Sequence, residues 1–491
     1  MTQPAAPIEL TGTESRLTNP SRPLDADLIS RLEGICETLT SESQTAEASR
    51  DWWPLAMHWA LAGSVPQRAA AICRPTTTEH VADVLSECST AGVPVTAAGG
   101  RSGVSGASIP VFGGVILDLT AMQGIIDIDT VAGVVEVWAG TFGPDLETEL
   151  RRQCAMTIGH FPQSFDIATV GGWVACRGAG QYSTRYGKIE DMCVGLEVVM
   201  ADGTVLRTGH GPAASMGPDL THLFLGSEGT LGVITRVWLR AHPIPTHERR
   251  AAYIFPDFDS GIEACRLILR RGATPAVLRL YDAIESQRSH GGDGTSCALL
   301  VLDEGDIGLV EAVIGVVEDE CAAARPASDD LVEQWLAHRN DTHALQDLTR
   351  KGFVVDTMEI AAPWSRLGTI FTEARAALMA VPHARVASCH LSHSYVDGAC
   401  LYFTFAAAPP PDQIEATYVA MWDAGQRAVL AAGGNLSHHH GIGLNRARFM
   451  AESMGSSLGV LQAVKDALDP HGILNPGKLG LSSPFGAAPW P

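Results

Sequence analysis

Near the end of the chain, Gly433-Gly434-Asn435-Leu436-Ser437-His438-His439-His440-Gly441-Ile442-Gly443 sets three consecutive imidazoles between glycines. An imidazole titrates near neutrality, so it can take up a proton, return one, or hold an anion or a metal. Consecutive histidines on a loop do not converge readily on one tetrahedral ion, so no metal is expected. The flanking glycines let the backbone crowd against something flat or anionic. Tyr395, just before the Asp397-Gly398 turn, is a second candidate. A phenol acts as a general base only where nearby cations lower its pKa, and the histidines and Arg279 are the groups that would do so. Arg279 is the third, because a guanidinium forks two carboxylate or phosphate oxygens. The plain alternatives are a surface histidine cluster, a core tyrosine bonded to backbone, and a salt-bridged arginine.

Small residues gather in blocks elsewhere. Ala97-Ala98-Gly99-Gly100-Arg101-Ser102-Gly103-Val104-Ser105-Gly106 follows the strand candidate Val93-Pro94-Val95-Thr96. Four glycines there allow several backbone N–H groups to face one anion. The block is neither GxGxxG nor a GKS/GKT phosphate loop. Further blocks run from Gly159-His160-Phe161-Pro162 to Thr169-Val170-Gly171-Gly172-Trp173-Val174, through Arg177-Gly178-Ala179-Gly180, and over Gly226-Ser227-Glu228-Gly229-Thr230-Leu231-Gly232-Val233-Ile234. They lie where a large planar ligand would need main-chain contact.

The elements that must position these groups follow from periodicity. Thr78-Glu79-His80-Val81 opens a capped helix, residues 115–119, 124–129 and 134–140 read as short strands, and a helix runs from Phe142 to Cys154. Ala201-Asp202-Gly203-Thr204 is a hairpin turn. Composition changes at His242-Pro243-Ile244-Pro245. Beyond it, strand candidates such as Cys297–Leu302 alternate with helices such as 308–323, which predicts an α/β domain with an antiparallel sheet. A helix over 412–432 leads back to the histidines, and Leu474-Asn475-Pro476-Gly477-Lys478 closes a last helix over 460–468. The 491 residues suffice for two or three domains, and 46% hydrophobic with 18% charged residues indicates a globular chain. A net charge of -21 argues against nucleic acid as partner. Eleven cysteines without a CxxC pair or a leader suggest free thiols in a reducing cytoplasm. No apolar run reaches transmembrane length, although peripheral membrane contact stays compatible.

In order and spacing these blocks resemble the vanillyl-alcohol-oxidase type of FAD-binding flavoprotein, closest within it to the alkylglycerone-phosphate synthases (alkyldihydroxyacetonephosphate synthases). Tyr186-Gly187-x-Ile189-Glu190-Asp191, Leu278-Arg279-Leu280-Tyr281-Asp282, Ala362-Pro363-Trp364 and Ser394-Tyr395-x-Asp397-Gly398-Ala399-Cys400-Leu401-Tyr402-Phe403 also carry the likeness. It implies an α+β fold. Residues 1–65 would be a lead-in, 66–243 the FAD domain, 244–430 a substrate-binding cap, and 431–491 a segment completing the site and packing on the FAD domain. FAD would be noncovalent, because Arg101 stands where covalent relatives often carry the flavin-linking histidine. Ala98, Gly99, Gly100, Arg101 and Ser102 would lie against its pyrophosphate. Gln163, Ser164, Asp166, Thr169, Arg177, Ala179, Glu228, Gly229, Thr230 and Ile234 would line the rest.

The resemblance further implies Tyr395 as proton acceptor, with Arg279, His439 and His440 catalytic and His438 joining them to hold substrate. The reaction would be redox-neutral: an acyl-dihydroxyacetone phosphate exchanges its acyl chain for a long-chain alcohol through an adduct at flavin N5. The protein would be a cytoplasmic homodimer. One departure bears on the substrate. Where the synthases carry an Arg-Asp pair before Ala-Pro-Trp, this chain reads Ala344-Leu345-Gln346-Asp347, with Arg350 as a nearby substitute. The alternative is a metal-free FAD oxidase or dehydrogenase of a 2-hydroxy acid or related alcohol. That branch shares the Asn475-Pro476-Gly477 turn, while its metal-binding His-x-Gly-Asp-Gly-Asn-x-His pattern is absent.

Overall fold

The computed structural model describes residues 8–18, 21–209, 211–341, 343–488 and 490; residues 1–7, 19 and 20 of the expected lead-in lie outside them. A four-stranded sheet runs in the order Glu37–Leu39, Ala71–Arg74, Val115–Asp118, Val95–Ala98, the last three parallel. Its three parallel strands are short, mostly buried runs without alternation, as strands covered on both faces require. The helix Thr78–Ala91 covers it, capped by Thr77 Oγ1 on the His80 amide and ended by Gly92 in the left-handed region. A five-stranded antiparallel sheet follows, ordered Val205–Arg207, Cys193–Val199, Val233–Arg240, Val134–Trp138, Ile125–Asp129. The C-terminal segment returns to the first sheet: Val95 and Leu474 form a parallel bridge, with the Val95 amide donating to Ile473 O and the Asn475 amide to Val95 O, each at 2.8 Å.

Residues 247–407 build one seven-stranded antiparallel sheet, ordered Arg325–Ala327, His247–Phe255, Cys297–Gly305, Val277–Tyr281, Ala384–Ser394, Gly398–Ala407, Val354–Pro363. Helices Phe258–Arg270, Ile307–Glu320, Trp364–Ala380 and Ile414–Ala431 bury apolar residues in one hydrophobic cluster with Leu401, Phe403 and Phe405 on one face of the sheet. Strand alternation turns Tyr402 to the opposite face. There, register pairs Glu359 with Tyr402, Tyr402 with His390, and His390 with Tyr281, so four polar side chains form one row across four strands. Arg279 sits two residues from Tyr281 on the same face.

The expected helices and the antiparallel cap sheet are present with ends shifted by a few residues, as fraying termini allow. The strand expected at Val93–Thr96 is Val95–Ala98, because its ladder with Val115–Asp118 begins only after Pro94. All eleven cysteines are free. Among the described residues no helix is long and apolar enough to cross a membrane.

Candidate active site

Both halves of the molecule face a cavity of about 420 Å³. One wall is the turn after Val95–Ala98. Gly99 and Gly100 are required there, since a Cβ would fall 2.2 Å from Thr169 Oγ1 and 1.9 Å from Ile167 O respectively. Arg101 takes φ +52 and places Nη1 3.6 Å from Asp118 Oδ2. The opposite wall comes from the cap: Arg279, Arg339, Asn340, Leu345, Gln346, Asp356, Thr357, His393 and Tyr402, with His439 and His440 from the histidine loop.

Glu359 fixes that loop. Its fully buried carboxylate accepts the amides of His439 and His440 at 3.1 and 2.7 Å and the Ser437 hydroxyl at 2.6 Å, and it pairs with the buried Arg446 guanidinium. Burial opposes its ionisation, but Arg446 and His440 outweigh that and hold its pKa well below the carboxylate range. The loop's other side is held by Glu228, whose carboxylate accepts the Ile442 and Gly443 amides at 2.6 and 2.8 Å. Gly441 lies between the two carboxylates at φ +82, where a Cβ would fall 2.6 Å from Glu228 Oε1.

Tyr395 and His438, expected to act on the substrate directly, are not among the residues lining the cavity. They sit behind it, the Tyr395 hydroxyl 2.7 Å from His438 Nε2 and His438 Nδ1 2.8 Å from His439 Nδ1. Burial raises the Tyr395 phenol above its ordinary pKa, the wrong direction for a base. The phenol that faces the cavity is Tyr402, which stacks on His439 and donates to Thr357 Oγ1 at 3.1 Å. The alternation Leu401-Tyr402-Phe403-Thr404-Phe405 carried that signal: the apolar face goes to the helices and the polar face to the site. Desolvation lowers the pKa values of His393, His438 and His439 well below the ordinary value, so these imidazoles are neutral at pH 7.

His393 was not expected in the site. A bulge between Ser392 and Ser394 puts it at φ +52 and turns its ring into the cavity wall, with Nδ1 2.7 Å from Ser183 Oγ. It brings one nitrogen within 4.8 Å of nitrogens of His438 and His439. Two of the three consecutive histidines therefore do converge, with a partner from another strand. The hydrogen bond between His438 Nδ1 and His439 Nδ1 gives this cluster a proton-sharing explanation that needs no metal.

The missing second cation has a different source. Leu345 and Gln346 do line the cavity, whereas Arg350 pairs outward with Glu9 and Asp347 and does not substitute. Arg339, directly after the helix Asp330–His338, lines the cavity instead. Its guanidinium lies 5.1, 5.7 and 5.8 Å from the ring centroids of Tyr182, Trp335 and Phe161. Buried Arg339 Nη1 and Asn340 Oδ1 find no hydrogen-bond partner among the described residues. Arg279 lies 5.7 Å from the same Trp335 ring.

Residues 69–209 match the model described as "FAD binding domain", and residues 244–479 match "FAD linked oxidases, C-terminal domain". The FAD-linked oxidoreductase YgcU of Escherichia coli O157:H7, of uncharacterised activity, is 33% identical over 84% of this chain and 88% of its own length. The chain belongs to the vanillyl-alcohol-oxidase type of FAD-binding flavoproteins. The alkyldihydroxyacetonephosphate synthase of Dictyostelium discoideum is 28% identical over 85% of this chain and 74% of its own. A solved alkyldihydroxyacetonephosphate synthase superposes with TM-score 0.77 at 23% identity, covering 97% of this chain and 89% of that one, a likeness of fold.

The cofactor of this flavoprotein is FAD, held noncovalently. The residues fit it: the cavity is lined by Gly99, Gly100, Gly171, Gly172, Gly178 and Gly229, and Trp173 Nε1 and Gln181 Oε1 in its wall have no protein hydrogen-bond partner among the described residues. Ala98 to Ser102, Gln163, Ser164, Asp166, Thr169, Ala179, Glu228, Gly229 and Ile234 line it. Two expected residues do not. Arg177 caps the helix Val170–Cys176 at φ +56 and pairs with Glu190 at 3.0 Å, and the Thr230 hydroxyl turns back to Ser227 O at 2.7 Å.

His160 is also outside the lining. It is fully buried against Trp173 at 4.7 Å between centroids, and neither nitrogen has a partner among the described residues. Burial, then the Lys188 charge, lowers its pKa to about 3. A depressed folded-state pKa means the unfolded chain binds the extra proton, so this contribution is complete above 6.5 and is lost as pH falls toward 3. His160→Phe should therefore reduce the stability lost between pH 7.5 and pH 5 by about 2 kcal/mol, read from urea unfolding at the two pH values.

Proposed function

We propose that this flavoprotein is an FAD-dependent oxidoreductase of small anionic alcohols, of the 2-hydroxy acid class. The observation that carries the reading is that Arg279 and Arg339, both from the cap, line the same cavity wall as Tyr402 and the neutral His439. The two guanidiniums hold the carboxylate and set the carbon beside it. Burial raises the Tyr402 pKa, so its hydroxyl stays protonated, and on turning from Thr357 Oγ1 it donates to the substrate oxygen and orients it. With His439 Nδ1–H donating to His438 Nδ1, His439 Nε2 is unprotonated and takes the hydroxyl proton. Bound FAD supplies an electron-poor ring that accepts the hydride equivalent. The charge on a substrate carboxylate therefore decides affinity. Arg339→Met should raise KM for a 2-hydroxy acid about 10- to 100-fold, with a much smaller effect on its methyl ester. Equal losses for acid and ester would contradict the reading.

A second reading is redox-neutral exchange on a phosphorylated lipid, as the name of the Dictyostelium relative suggests. The apolar wall of Trp52, Pro54, Met57, Leu345 and Val355 supports it, since an aliphatic chain would pack there. Against it, Leu345 and Gln346 stand where the synthases carry an arginine, and the second cation facing the cavity is Arg339 from another element.

A further inference from the structure

His390 lies behind the cavity wall, in the strand between those of Arg279 and Tyr402. It is directly opposite Tyr402 in the ladder, and their rings stack at 4.8 Å with 15° between planes. Its Nε2 is 2.6 Å from Arg279 Nη2 and its Nδ1 is 2.8 Å from Glu285 Oε2. A guanidinium has only donors, so Nε2 must be the acceptor and the proton must sit on Nδ1, donated to the carboxylate. Glu285 also takes the Ser388 hydroxyl at 2.9 Å, and Arg279 Nε donates to the Tyr281 hydroxyl at 2.8 Å. Both Glu285 and His390 are buried.

We propose that His390, fixed by Glu285 in its Nδ1–H form, is a positioning residue that sets both the Arg279 guanidinium and the Tyr402 ring. One neutral imidazole then fixes the anion holder relative to the phenol, and Glu285 is the reason its acceptor faces Arg279. The groups around it are Arg279, Tyr281, Glu285, Arg288, His290 and Tyr402. Burial, followed by the Arg279 charge, lowers the His390 pKa to about 4. Burial opposes ionisation of Glu285, but His390 outweighs it and holds that carboxyl at about 2. The arrangement therefore persists across neutral pH.

The inference deepens the proposed function, and its test separates the two. In FAD-loaded protein labelled with ¹⁵N-histidine, His390, identified by the signal lost in His390→Gln, should show the Nδ1–H tautomer and no titration between pH 6 and 8. An Nε2–H pattern overturns the inference. Oxalate, an anion with no oxidisable carbon–hydrogen bond, is then titrated against the bound-flavin spectrum. His390→Phe keeps the stack on Tyr402 but offers no acceptor, and should weaken oxalate at least about tenfold with FAD content unchanged. His390→Gln can donate to Glu285 and accept from Arg279, and should stay within about threefold of the parent protein. Equal losses in both variants, or none in His390→Phe, overturn it. Parent protein that binds no oxalate contradicts the proposed function, while the nitrogen signals still decide the tautomer.

Discussion

Glu359→Ala is expected to destabilise the holoprotein by about 3–5 kcal/mol and to abolish turnover, because it leaves the Arg446 cation buried and unpaired. Arg446 and Glu359 are both fully buried, and the guanidinium also donates to Leu436 O at 2.8 Å. The same substitution releases the amides of His439 and His440, so the loop loses its register along the edge strand Val354–Pro363. Stability and activity separate in a double variant. Glu359→Leu with Arg446→Met removes both charges and should recover most of the stability, since a buried pair replaced by apolar groups of similar volume costs little. It should recover no activity, because the loop still lacks its acceptor. Urea unfolding and turnover of the three proteins check this. A double variant with restored activity would remove Glu359 from the account.

His439→Gln is expected to lower kcat by about 10²–10⁴-fold with FAD retained, the range for losing a positioned general base. Tyr402→Phe removes one donor to the substrate oxygen and should cost about 10²–10³-fold. Tyr395→Phe should cost less than about tenfold, because the phenol does not line the cavity and meets it through its neighbour His438. The pH profile is a second check. His439 must be neutral to accept a proton, and burial, followed by the His440 charge, lowers its pKa well below 6.5. The acid limb of kcat/KM should therefore lie well below that value, with no loss between pH 6.5 and 8. A limb centred near 6.5 would assign the base to a solvated imidazole instead.

The FAD framework was legible in the sequence because it is made by local signals: glycines where a Cβ would strike Thr169 or Ile167, capping residues, and strand runs broken by turns. The cap sheet was legible as a type, and Arg279, His439 and His440 were placed in the site. What was lost depends on register and approach across strands. Tyr395 and Tyr402 are seven residues apart, and only the row Glu359–Tyr402–His390–Tyr281 decides which phenol faces inward. His393 enters through a bulge, which leaves no local composition signal. Arg339 ends an ordinary amphipathic helix, and its aromatic surroundings come from Phe161, Tyr182 and Trp335, far apart in the chain. Arg177 shows the converse: a residue inside a glycine-rich block that the helix end turns outward.

The most direct measurement mixes the yellow holoprotein with a 2-hydroxy acid in the absence of oxygen and follows the oxidised-flavin absorbance. The account predicts that the absorbance is lost and returns only when an electron acceptor is added, and that Arg279→Met blocks the loss. The contrary result is no loss with any 2-hydroxy acid, together with exchange of fatty acid for fatty alcohol on acyl-dihydroxyacetone phosphate without an acceptor.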